Sequence, residues 1–173
     1  MAGCLNEPAR VEIEPLLPEH AQRVFELACH YYQAALRPPL EELKQALRQA
    51  EEEQRHWSLG AWEGESLRGY LLAWVDETRA EDSDEEVLLI EDLLVDSGCL
   101  PQSLLERLVL ELEQAGLASL PLESTLIPNQ ARLIDLCEQS LEQFGYQCVA
   151  RDTMETNPDS PELIWQRFER NSS

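Results

Sequence analysis

The chain has 173 residues, 43% of them hydrophobic, and sets 34 acidic side chains against 13 basic ones, for a formal net charge of −21 at neutral pH. That size suits a single domain with a continuous core, spanning 1–173 with loose ends at 1–10 and 170–173. The charge excludes nucleic acid and anionic membrane surfaces as partners, since phosphate contacts need clustered cations and here twelve arginines and the lone lysine, Lys44, are scattered.

A basic protein partner fits such a surface, and a homodimer is the alternative assembly. Five cysteines, Cys4, Cys29, Cys99, Cys137 and Cys148, form no C-x-x-C pair and follow no apolar leader, which leads us to expect the reducing cytoplasm. His20, His30 and His56 lie far apart, so no metal site is expected.

Val11, Ile13, Leu16 and Leu17 alternate with Glu12 and Glu14 as a first strand should. Pro18 then opens a helix with Val24, Phe25, Leu27, Ala28 and Tyr31 on its apolar face, running to about Leu36. Pro38 and Pro39 stop it and start a second helix, striped by Leu40, Leu43, Ala46, Leu47 and Ala50. From Trp57 the period becomes that of a strand. Glu63 to Ser66 is a turn, so Trp57–Trp62 and Leu67–Thr78 form a hairpin. Asp76 to Glu86 is almost wholly acidic and is expected to be a solvated connection.

The run Val87 to Val95 is apolar except for Glu91 and Asp92, which predicts a strand buried on both faces and central in its sheet. A helix follows, with Leu104, Leu105, Leu108, Val109 and Leu112 facing that sheet. Ser103-Leu104-Leu105-Glu106 fits a capping box, in which the Ser103 side chain accepts from the Glu106 N–H and Glu106 reaches back to Ser103. Leu117 to Ile127 reads as a strand disturbed by Pro121. Asn129 can cap a fourth helix that ends at Gly145. Tyr146–Thr153 and Glu162–Phe168 complete the sheet.

The order strand, two helices, three strands, helix, strand, helix, two strands resembles that of the GNAT superfamily of N-acetyltransferases, from Val11 to about Phe168. LLIEDLLV is similar to that family's fourth strand, and Asn129 through Phe144-Gly145-Tyr146 to its asparagine-led helix. The resemblance implies an α/β (α+β) fold, a mixed central sheet of about seven strands flanked by about four helices. It also implies a pyrophosphate loop of the pattern Q/R-x-x-G-x-G/A before the third helix. Leu100, Pro101, Ser103 and Leu105 stand there instead. Pro101 lacks an N–H, and a capped helix would fill the anion site with its own carboxylate.

Two readings follow from the resemblance. In the first, the domain has lost acetyl-coenzyme A, needs no cofactor and serves as a protein-interaction or ligand-binding module. In the alternative, it is a divergent N-acyltransferase using acetyl-coenzyme A or another acyl-coenzyme A. There Gly98 and Cys99 form a shifted loop, and Leu94, Val95, Ser103 and Asn129 hold the cofactor. Glu91 and Asp92 are the candidates for general base, of which strand alternation lets only one face the cleft. The acid that the family often places four residues before the glycine is replaced by Leu141, and Cys137 reads as a core residue.

Overall fold

In a computed structural model the described residues are 11–32, 37–76, 86–96, 101–126, 131–154 and 163–170. The acidic connection expected at Asp76 to Glu86 falls almost entirely outside them. So do Gly98, Cys99 and Asn129.

The strands are β1 (Glu12–Pro15), β2 (Leu59–Glu63), β3 (Ser66–Asp76), β4 (Val87–Val95), β5 (Leu122–Leu126), β6 (Tyr146–Met154) and β7 (Leu163–Arg170). The helices are α1 (Ala21–Tyr31), α2 (Leu40–Glu52), α3 (Pro101–Gln114) and α4 (Ala131–Gln143). Together the strands make one mixed sheet in the order β1-β2-β3-β4-β5-β7-β6, so β4 is interior as its apolar run required. Only β4 and β5 run parallel; every other neighbouring pair is antiparallel. Arg170, expected in a loose end, instead closes β7 opposite Tyr146, and its guanidinium donates to Glu113 at 2.9 Å; residues 171–173 lie outside the described residues.

Two apolar layers sandwich this sheet. On one face, Leu104, Leu105, Leu108 and Leu112 of α3 and Ile134 of α4 pack on Leu88, Ile90, Leu93 and Leu122. On the other, Val24 and Leu27 of α1 and Leu43 and Leu47 of α2 pack on Tyr70, Leu72 and Leu94. Both α3 and α4 are followed by a glycine in the left-handed region, Gly116 at φ 74° and Gly145 at φ 92°, where a side chain would be strained.

The sheet has one irregularity that matters. Leu72 faces Asp92 across the β3–β4 ladder, yet Ala73 faces Ile90, so Glu91 is an extra residue with no partner opposite. Such a bulge bends the strand and changes the phase of its side chains. Before it, Leu88 and Ile90 point into the α3 layer; after it, Asp92 and Leu94 sit in the α1–α2 layer. Of the two acids Glu91 alone lines a cavity among the described residues, but strand alternation is not the reason. Alternation does not hold across a bulge, and both Glu91 and Asp92 turn toward the α1–α2 side.

The capping box is corrected as well. Helix α3 begins at Pro101, a residue favoured at the first helical position because its missing N–H would have no partner there. Ser103 therefore lies inside the first turn, exposed, and cannot cap it. Leu105 is fully buried in the core layer and adds no bulk at the helix end.

Leu108→Ala should cost about 2 to 5 kcal/mol in chemical denaturation, from lost burial and the residual cavity. Ser103→Ala should change stability by less than about 0.5 kcal/mol, as befits an exposed helical site; a loss of about 1 kcal/mol or more would reinstate the cap.

Candidate active site

The bulge sits where β4 and β5 part company. Their ladder consists of Leu88↔Leu122, Leu89↔Glu123 and Ile90↔Ser124. Among the described residues no rung lies beyond it, although β4 continues to Val95 and β5 to Leu126. Past Ile90 the two parallel strands diverge, held at the root by Thr125, whose hydroxyl donates to the Glu91 carbonyl at 3.4 Å. On the β5 side, Asp92 to Val95 of β4 have no strand partner among the described residues. Leu94 and Val95 still pair with Tyr70 and Gly69 of β3 on their other edge.

At the last rung lies Ser124, fully buried, whose hydroxyl has no protein partner among the described residues. A buried hydroxyl without a partner is costly and rare.

Asp92 is gripped from two sides. The Tyr32 hydroxyl donates to its Oδ1 at 2.8 Å and the Tyr70 hydroxyl to its Oδ2 at 2.6 Å. Burial pushes its carboxyl up to about 6, against the opposing pull of the Tyr70 and Tyr32 hydrogen bonds. Burial and the adjacent carboxylate likewise push the Tyr70 hydroxyl upward, so it stays a donor. One residue back along the chain, Tyr31 donates to Asp96, which also pairs with Arg68 at 3.4 Å. Two consecutive tyrosines at the end of α1 thus latch that helix to the second half of β4.

Glu91 occupies a different environment on the same side. It is exposed, and it accepts from the indole N–H of Trp74 on β3. Trp74 and Glu91 both line a cavity of about 260 Å³, with Pro38 and Pro39 just before α2 and Glu42 in its first turn also in the wall. Two neighbouring carboxylates, one buried between hydroxyls and one open to a cleft, can divide the work of holding a proton and receiving a substrate.

The carboxylate on the neighbouring rung of β5 is committed elsewhere. Glu123 is buried, and accepts from the Trp165 indole and from Arg167 at 3.4 Å. Cys137 is fully buried between α4 and the core, where burial pushes its thiol up to about 12, so it is a core residue. Leu141 is buried in the same layer. Among the described residues no group of three or more His, Cys, Asp or Glu could hold a metal ion, and no helix is long and apolar enough to cross a membrane.

Sequence reading found the two acids but missed Tyr32, Tyr70, Trp74 and Ser124. The alternation of Tyr70, Leu72 and Trp74 along one strand placed them on one face of the hairpin. Nothing in the linear order joined Tyr32 to Asp92, sixty residues away.

A mixed seven-stranded sheet with one parallel pair, and helix pairs on its two faces, is also the architecture of solved acetyltransferase structures. The fold is that of the GNAT superfamily of N-acetyltransferases. The diaminobutyrate acetyltransferase of Paenibacillus lautus, solved with L-2,4-diaminobutyric acid and coenzyme A, superposes with a TM-score of 0.70 at 13% identity, covering 95% of this chain and 99% of that one. NAA60 of Arabidopsis thaliana, solved with a bisubstrate analogue, gives 0.66 at 15% identity, covering 95% and 100%. An N-acetyltransferase of Staphylococcus aureus gives 0.66 at 13% identity, covering 92% and 98%. At these identities the likeness is one of fold. No family model matches the sequence, and no curated protein matches it either.

The Asp92 carboxyl leaves a thermodynamic signature. Between its ordinary value of 3.8 and its folded value of about 6, the native state holds a proton that the unfolded chain has released. Stability contributed by this group therefore falls as pH rises through that window and is level above it. Asp92→Asn should remove this slope, so that the variant gains on the wild type from pH 4 to 6 and no further. Urea denaturation at a series of pH values measures it, and parallel curves would show an unshifted carboxyl.

Proposed function

We propose that the chain is an N-acyltransferase that uses an acyl-coenzyme A. The observation that carries the reading is the bulge at Glu91, which ends the β4–β5 ladder and brings Asp92 to the edge of the opening. The case for a lost cofactor rested on the departures from the loop pattern, on Leu141 in place of an acid, on the acidic surface and on a cap at Ser103; of these, Ser103 lies inside the first turn of α3 and is no cap.

The residues present suit the cofactor. The unused β4 edge at Leu94 and Val95 and the Ser124 hydroxyl can take the amides of a pantetheine arm. The first turn of α3 carries no acidic side chain, and its Gln102 and Ser103 N–H groups are available to an anion. Gly98 and Asn129 complete this set as proposals from the sequence alone. When bound, an acyl-coenzyme A supplies an activated acyl group for transfer to an amine.

Asp92 takes the proton that the amine must lose, because a base is most effective with a pKa near the working pH and its carboxyl lies at about 6. Tyr32 and Tyr70 fix its orientation and stabilise the ionised form through two hydrogen bonds. Glu91 faces the approaching amine from the cleft.

The deciding experiment is a thermal-shift titration with acetyl-coenzyme A and longer acyl homologues, followed by an acylation assay over a panel of amines. Saturable stabilisation rising with ligand concentration is expected, with Asp92→Asn binding normally but turning over about 100- to 10,000-fold more slowly. Lack of binding by every acyl-coenzyme A would replace the enzyme with an interaction module.

A further inference from the structure

We propose that the groove between α2 and β3 seats the acceptor, and that it selects a primary amine carried on an unbranched apolar chain. This rests on the acyltransferase reading and adds the class of molecule acylated.

Two cavities of about 260 Å³ and about 190 Å³ lie side by side along the inner edge of α2. Ala46 and Trp74 line both, so the two adjoin at these residues. The two halves differ in chemistry. At the first, Glu42 and Glu91 bring two carboxylates to a wall that has no lysine, arginine or histidine among the described residues. An ammonium group there would meet two negative charges beside an indole ring, an environment that attracts cations. The Trp74 N–H bond to Glu91 positions that carboxylate through a neutral donor, so its charge is not cancelled by a cation at that contact.

The second half is mainly apolar. Ala46 and Ala50 stand on the helix side, Trp57, Trp74 and Val75 on the other, and Arg55 at the end pairs with Glu53 at 3.8 Å. Ala46 to Ala50 is about one helical turn, or about 6 Å. A chain long enough to pass Ala46 buries apolar surface against these walls. An anionic head would meet Glu42 and Glu91 and be rejected. Glu91, which lines the first half, is the residue before Asp92 in β4.

The test reads binding in the absence of any coenzyme. The Trp74 indole N–H resonance, assigned by its loss in Trp74→Phe, is followed while n-hexylamine, n-hexanol or hexanoate is added to the isotope-labelled protein. n-Hexylamine should shift it saturably, n-hexanol should bind at least about tenfold more weakly, and hexanoate should leave it unmoved. Glu91→Gln should weaken n-hexylamine about tenfold, the scale of one charged hydrogen bond. Ala46→Phe should abolish binding with the amide spectrum otherwise retained. Equal binding of amine and alcohol, unchanged binding in Glu91→Gln, or no saturable shift would overturn the proposal. Intact n-hexylamine binding without acyl transfer would support the groove and count against the enzyme; transfer to short amines without n-hexylamine binding would do the reverse.

Discussion

One extra residue in one strand organises this molecule. Without Glu91 as a bulge, the side chains of β4 would keep their alternation, and Asp92 would share the face of Ile90, beneath the leucines of α3. A carboxylate there would have no donors to meet it and would be expensive to bury. With the bulge, the same residue falls between two tyrosine hydroxyls, and the backbone turns away from β5. The opening in the sheet and the orientation of the acids are two effects of one backbone irregularity.

The layers on either side of the sheet then have distinct duties. The α3–α4 layer is dominated by leucine and packs on β4 and β5 up to the last rung of their ladder. The α1–α2 layer is more mixed: Tyr32 and Tyr70 are buried with their hydroxyls engaged, and Trp74 sits at the border of a cleft. Polar groups inside an apolar layer fix relative positions, since each hydrogen bond has one good geometry. The consecutive tyrosines at the end of α1 do this for the helix that frames the site.

The architecture was legible in the chain because hydrophobic period and punctuation agreed. Val87 to Val95 read as a buried strand, Pro38 and Pro39 as the lead into a second helix, and Glu63 to Ser66 as a hairpin turn, all as observed, whereas α1 ends at Tyr31 and not at about Leu36. The start of α3 was misread because two signals competed. Ser103 and Glu106 fit a capping box, while Pro101 fits the first position of a helix, and the proline prevailed. The bulge itself was not legible, since an unpaired residue depends on the partner strand as much as on its own. For the same reason the acids were found while their tyrosine partners were not: Tyr32 meets Asp92 only after α1 has packed on the sheet.

The sheet order carries a consequence for how the protein is made. β7 lies between β5 and β6, yet it follows both in the chain. As the polypeptide leaves the ribosome, β5 presents one edge with no neighbour, and β6 has no strand to join, until β7 emerges and inserts between them. The first four strands and their helices can settle earlier, since β1 to β4 pair in sequence order. Synthesis therefore passes through a half-finished intermediate with exposed strand edges, a species prone to wrong pairing. Its lifetime is set by the time taken to translate the span from β5 through β7.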